Sequence, residues 1–342
     1  MITITSYNDN ENIKLFTLEN DELKVVISQY GAMIKSLFVK SLQRETVCGL
    51  NNFKDDTDQT FYLGSIVGRV GNRIAYGKFE LNNKEYTLPI NNGEHHLHGG
   101  IKGFDKQVFD YEIKDHQLLL TYTSKDGEEG YPGTCTLTLM YHLEESSLVI
   151  ETSGTSDQDT LFDPTQHTYF NLNEDKSPIG NHQLHLNSEY MYCIDESGVT
   201  YNKVLNTNDT LYDFSNNKLI SECLNGTHIQ LERNRGLDNY FIKKDKTNPF
   251  IAELSVHDLC LSIYTTHPGA HVYSGNYLED LKNGSHYPFL IQNGGICFET
   301  QHVPNSINFD LSQAPILKAN HTVTSRTVYH IKKGETHGNH NI

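Results

Sequence analysis

Apolar and polar positions alternate with a period of two through much of the chain. The alternation is clearest in Thr134-Cys135-Thr136-Leu137-Thr138-Leu139-Met140-Tyr141-His142-Leu143, where the odd-numbered positions make an apolar stripe. Successive side chains of an extended backbone point to opposite faces, so this run predicts a strand with one buried face. Similar runs cover Leu118 to Thr123, Leu148 to Thr152, Leu259 to Thr265 and Thr322 to Ile331, divided by Asn, Gly and Asp clusters that supply turn chemistry. Phe79 to Leu88 reads as a hairpin turning at Asn82-Asn83. No long window carries the i, i+3, i+4, i+7 spacing of an amphipathic helix, and helical segments do not separate the strands as βαβ units require. The pattern predicts an all-β, largely antiparallel fold with few short helices.

The 342 residues suffice for a large core, and all-β architectures of this length often form one unit. A single domain over residues 1–335 is therefore expected, with loops at Asp157 to Thr160 and Asn206 to Asn217 and a flexible tail at residues 336–342. Lys and Arg number 27 against 43 Asp and Glu, a formal charge of −16, which removes the attraction to phosphate backbones and anionic lipid. No nucleic acid or membrane partner is expected. The chain has no run of about 18 apolar residues, and its first residues lack the basic and apolar segments of a signal peptide, so a cytoplasmic location is expected. Six cysteines lie far apart without a CxxC pair, which predicts reduced, mostly buried thiols rather than a disulfide framework or a thiolate zinc site.

Five segments place His, Arg, Asp or Glu beside Gly, Pro or Asn. They are Gly68 to Ile74, Glu94 to Gly100, Asp163 to Leu172, Arg235 to Asn239 and Phe298 to Pro304. Each taken singly has an ordinary explanation: Arg69 and Arg73 as surface ion-pair partners, His98 and His167 as hydrogen-bonded histidines, Asp238 as a turn residue, Glu299 as an exposed strand residue. His96 and His98 also have the HxH spacing that puts two imidazoles on one face of a strand, as in some metalloenzymes. The nearby carboxylate that such sites use is missing, because Gly99-Gly100-Ile101-Lys102-Gly103 follows, and no metal is expected.

Together and in order, these segments resemble the galactose mutarotase (aldose 1-epimerase) family. The GRxxNRI, LHGGxxGFDK and NxTxHxYFNL patterns of that family match Gly68 to Ile74, Leu97 to Lys106 and the stretch ending in His167-Thr168-Tyr169-Phe170-Asn171-Leu172. GLD at Gly236 to Asp238, YTTxPG and YxGN at Tyr264 to Gly269 and Tyr273 to Asn276, and ETQ at Glu299 to Gln301 extend the match from about Gly64 to Pro315. The resemblance implies a large antiparallel β-sandwich with a sugar in an open cleft, acting on α and β anomers of free hexoses such as galactose and glucose without a cofactor. It implies that His167 is the general acid and Glu299 the general base, and that Asn72, Arg73, His98, Tyr169, Asp238 and His271 contact a monosaccharide. The protein is expected to be a monomer or homodimer.

Ring opening needs one base to take the C1 hydroxyl proton and one acid to protonate the ring oxygen. An ionised Glu299 and an imidazolium at His167 suit those tasks. The chain departs from the family at Asp163, where Asn is usual, at His271, where Gln is common, and at Val303-Pro304-Asn305; it also has no Trp, which leaves Tyr and Phe to stack on a sugar. Two other readings differ in their requirements. A hexose 6-phosphate enzyme would need a basic cluster, and a catalytically silent sugar-binding protein would lack the acid or the base.

Overall fold

The computed structural model describes residues 1–280 and 287–333. The tail at 336–342 lies outside the described residues. The period-two run around Leu137 is a strand, Cys135–Glu144, with Cys135, Leu137, Leu139 and Tyr141 buried and the intervening residues partly exposed. It pairs antiparallel with Gln117–Ser124 on one side and Ser147–Ser156 on the other. These strands belong to a nine-stranded sheet that continues through Thr322–Lys333, Leu259–Thr265, Phe250–Val256 and Gln183–Leu186, with edge strands Asp110–Lys114 and Lys218–Leu219. The hairpin Lys78–Leu81 with Lys84–Thr87 turns where expected, and both Asn82 (φ 54°) and Asn83 (φ 60°) are left-handed, the conformation that the hairpin turn needs and that Asn tolerates. Among the described residues the only α-helices are three short ones, Phe53–Asp58, Ile220–Leu224 and Ile229–Asn234. None is long and apolar enough to cross a membrane.

A five-stranded sheet of the first 45 residues and a six-stranded sheet complete the scaffold. The six-stranded sheet runs in the order Tyr169–Phe170, Ile296–Gln301, Gly269–Tyr273, Asp238–Lys243, Ser188–Ile194, Thr200–Asn206. All three sheets feed one apolar core, to which they contribute Phe16, Val25 and Leu37, then Leu137, Leu139 and Leu261, and finally Phe241, Val272 and Phe298. The central strands of the six-stranded sheet, Ile296–Gln301, Gly269–Tyr273 and Asp238–Lys243, are buried on both faces, so alternation shows there as a change of chemistry instead of exposure. Ile296 and Phe298 enter the core, while Cys297, Glu299 and Gln301 point the other way, and all six residues are buried. Register extends this second face across the sheet: Tyr169 opposes Cys297, His271 opposes Glu299, and Asp238 opposes Tyr273. A row of polar and aromatic side chains therefore stands on one face of a rigid sheet.

All six cysteines are free and buried, as the spacing predicted.

Candidate active site

Two loops cover the polar face of the six-stranded sheet. The loop ending at Asn72-Arg73 and the segment carrying His98 hold each other: the Asn72 backbone N–H donates to His98 Nδ1 at 3.0 Å, and the His98 N–H donates to the Asn72 carbonyl at 3.1 Å. Asn72 (φ 61°) and His98 (φ 53°) are both left-handed. The glycine after His98 is needed for close approach, because a Cβ on Gly99 would lie 1.7 Å from the Gly68 carbonyl oxygen. His167 is fixed through its backbone, which donates to the Ser65 carbonyl at 2.8 Å and accepts from the Gly64 N–H at 3.0 Å.

These elements enclose a cleft of about 210 Å³. His167, Glu299, Asn72, Arg73, His98, Tyr169 and Asp238 all line it. His167 Nε2 lies 3.6 Å from Glu299 Oε1, and His98 Nδ1 lies 3.9 Å from Glu299 Oε2. Glu299 is 2% exposed, and among the described residues its Oε2 has no hydrogen-bond partner. Arg73 is anchored by Nε donating to Asn92 Oδ1 at 3.1 Å and Nη1 donating to the Gly198 carbonyl at 3.2 Å. The Asp238 carboxylate accepts from Asn234 Nδ2 and pairs with His271 Nε2, both at 2.6 Å. The Tyr169 hydroxyl donates to the Phe61 carbonyl at 3.0 Å, so Tyr169 offers the cleft its ring.

His271, expected from the resemblance to contact the sugar, is not brought to the cleft wall. It is 1% exposed: it stands in the same row as Glu299 and Asp238 but is covered by its neighbours, and its Nε2 is taken up by Asp238. Asp163 also lies away from the cleft, paired with His302 at 2.8 Å. Arg69 is no surface ion-pair partner. It is 2% exposed and donates to the Pro132 and Gly133 carbonyls, Thr160 Oγ1 and Ser124 Oγ. His96 turns from the cleft to the Tyr131 hydroxyl and the Pro89 carbonyl, each at 2.8 Å, so the HxH pair does not converge. Tyr62, Tyr273, Tyr277 and Asn234 also line the cleft without having been singled out for a role in the sequence. Tyr273 lay within a matching segment, whereas Tyr62 carried no signal beyond being aromatic.

Electrostatics depart from the charge states that ring-opening chemistry suggested. Burial, reinforced by the Asp238 charge, lifts the Glu299 carboxyl well above its usual range, and burial pushes His167 down to about 4 and His98 well below its ordinary value. Burial in the cleft therefore favours the uncharged forms of both groups. Asp238 behaves oppositely: burial opposes its charge, but the hydrogen bond and charge of His271, with Arg73 nearby, hold its carboxyl below the usual range. Among the lining residues Arg73 is the single cationic side chain.

Donor atoms of His98, His167 and Glu299 lie within 4.8 Å of one another, a spacing that could hold a metal ion. Against this, His98 Nδ1 already accepts the Asn72 N–H, and a metal ligand must present a free lone pair. The free atoms of the cluster are hydrogen-bonding groups directed at one small polar space.

Residues 14–330 match the family model described as aldose 1-epimerase. The chain is 35% identical over 308 residues to the galactose mutarotase of Sus scrofa, covering 86% of this chain and 87% of that protein. It is 34% identical over 322 residues to the aldose 1-epimerase of Haemophilus influenzae, covering 90% and 92%. The crystal structure of galactose 1-epimerase from Lactobacillus acidophilus superposes with a TM-score of 0.87 at 28% identity, over 98% of this chain and 99% of that one. A match of this extent, on a fold whose cleft gathers the motif residues, shows that the chain belongs to the aldose 1-epimerase family.

Proposed function

We propose that this protein is an aldose 1-epimerase that interconverts the α and β anomers of free hexoses such as galactose and glucose by opening and reclosing the ring. The observation that carries the reading is the apposition of His167 Nε2 and Glu299 Oε1 at 3.6 Å beside a buried, unpartnered Glu299 Oε2. An orphaned buried acceptor costs free energy unless a ligand donor satisfies it, and a hemiacetal hydroxyl is such a donor.

In this reading Glu299 takes the proton of the C1 hydroxyl while His167 gives one to the ring oxygen as the C1–O5 bond breaks. Rotation about C1–C2 presents the other aldehyde face, and the two groups then exchange roles. The raised Glu299 pKa makes its carboxylate a stronger base than an ordinary one. Moving the shared proton from Glu299 to His167 changes no net charge, and the nearby Asp238 charge favours the imidazolium that results. His98, whose Nδ1 is an acceptor for Asn72, carries its proton on Nε2 and can donate to a sugar oxygen; Arg73 and Asn72 can do the same. Asp238 accepts from adjacent hydroxyls, and His271 acts through it as a positioning residue. Tyr62, Tyr169 and Tyr273 supply the aromatic surface that a chain without Trp must take from Tyr or Phe.

A lone cation in the lining favours a free sugar over a hexose phosphate. Residues 1–335 acting as one unit, a monomer or homodimer with no nucleic acid or membrane partner, complete the reading, and the buried free thiols suit a cytoplasmic location.

Polarimetry of freshly dissolved α-galactose tests the assignment. Glu299→Gln and His167→Ala are each expected to lower kcat by about 10² to 10⁴ with the protein still folded. A near wild-type rate for His167→Ala would remove it as the acid.

A further inference from the structure

A second convergence of ligating groups lies on the far side of the Glu299 strand end. Asp163, His267 and His302 come from three separate segments, and one donor atom of each lies within 4.8 Å of the others. Asp163 is 2% exposed, His267 is 8% exposed, and His302 is half-buried. They border a pocket of about 130 Å³ that shares no residue with the sugar cleft.

The Asp163–His302 contact alone would be an ordinary ion pair. Asp163 Oδ1 sits 2.8 Å from His302 Nδ1, and Asp163 Oδ2 accepts the His302 backbone N–H at 2.9 Å. His267 is what that pair does not explain. Its backbone N–H donates to Thr265 Oγ1, and its ring meets the His302 ring edge-on at 5.5 Å, yet among the described residues neither ring nitrogen has a hydrogen-bond partner. A polar ring is thus held beside a carboxylate and a second imidazole with its lone pair unused.

We infer that Asp163, His267 and His302 form a second site, distinct from the sugar cleft, that binds one borderline divalent transition-metal ion such as Zn²⁺ through two imidazoles and one carboxylate. Tetrahedral zinc with bonds of about 2.0–2.1 Å places its ligand atoms roughly 3.3 Å apart, so closing on an ion takes shifts of about 1.5 Å or less, within reach of side-chain rotation. The Asp163 oxygen held by the His302 backbone fixes the carboxylate and leaves the other oxygen to bind, once the His302 Nδ1 proton has been released to solvent, with Nε2 keeping its own, and the ring has exchanged its bond to that oxygen for one to the metal. Three protein ligands leave the fourth position open to the pocket for water or a small anion. Imidazole donors select against the hard ions Mg²⁺ and Ca²⁺. The site stands independently of the epimerase reading, since none of its residues lines the sugar cleft.

The test is a zinc titration of the full, metal-free protein by equilibrium dialysis with elemental analysis. The wild type is expected to bind one zinc that Asp163→Asn and His267→Ala each weaken at least about tenfold. His98→Ala and Glu299→Gln should leave that zinc in place, and magnesium should not compete. Zinc should also raise the Tm of the wild type and not that of Asp163→Asn. If His267→Ala does not fold, His267→Gln gives the same readout. The inference is overturned if the wild type takes up no zinc, if the zinc survives in both Asp163→Asn and the His267 variant, or if only Glu299→Gln releases it.

Discussion

A carboxyl group buried as deeply as Glu299 resists ionisation, and its neighbours decide what that costs and what it makes possible. Asp238, on the same sheet face, keeps its own charge because His271 and Asn234 grip it, each at 2.6 Å. Two acidic groups in one cleft thus have pKa values driven apart, Glu299 up and Asp238 down, by partners that only one of them has. That division suits a base on one side and a fixed hydroxyl acceptor on the other. Asp238→Ala is therefore expected to raise KM at least about tenfold while lowering kcat much less, as measured by polarimetry over a series of galactose concentrations. An equal fall in kcat and kcat/KM would instead place Asp238 in the proton-transfer step. The same substitution strands the His271 imidazole, so a loss of stability of about 1–3 kcal/mol in urea denaturation accompanies it.

At the level of elements, the six-stranded sheet is a rigid base and the loops above it are held by specific contacts. The strand Ile296–Gln301 shows why: its alternate residues enter the apolar core, so Glu299 can shift only if Ile296 and Phe298 move as well. The loop from Gly68 to Ile74 packs Val70 and Ile74 into a smaller apolar cluster and is otherwise held by hydrogen bonds. Arg69 is the main anchor for the loop that carries Asn72 and Arg73, linking it to the segments around Ser124, Pro132 and Thr160. Arg69→Ala would orphan several buried acceptors at once. A loss of at least about 3 kcal/mol by urea denaturation is expected, together with a raised KM because Arg73 lies four residues away on the same loop. An effect within about 0.5 kcal/mol would mean that water replaces the guanidinium without cost. The alternation in the sequence revealed the half-buried strands and the Asn82-Asn83 turn, since a solvated face marks every second residue. It was less informative in the central strands of the six-stranded sheet, where both faces are buried and the two periodic sets differ mainly in polarity.

Across the whole molecule, burial of imidazoles sets the response to acid. His96, His167, His182 and His267 are each pushed down to about 4, with burial the largest cause. The unfolded chain takes up protons at these positions near pH 6.5, whereas the folded chain does so only near pH 4. Between those values the unfolded state binds more protons, so stability rises with pH and is lost as pH falls from about 6.5 to 4. Each such histidine contributes up to about 1.4 kcal/mol per pH unit within that window. Tm measured from pH 7 to pH 4 should fall steadily across the window; a Tm that holds constant down to pH 4.5 would contradict the buried, neutral state of these rings. Glu299 acts in the opposite sense, since a raised folded pKa adds stability at low pH that is lost as pH rises through that value, so Glu299→Gln is expected to relieve part of the cost near neutrality.

The sequence by itself determined the all-β class, the turns and the reduced cysteines, because these depend on local chemistry: alternation, turn propensity and spacing; the set of motif residues it offered through its resemblance to the family. Tertiary structure alone decided which of those residues share the cleft. It paired His271 with Asp238, drew Arg69 into a buried network, turned His96 away and set Asp163 beside His267 and His302, since residues from about thirty to well over a hundred positions apart meet only through sheet register and loop packing. It also decided the charges of His167 and Glu299, for a group's pKa follows its burial and its neighbours, and neither is written in its identity.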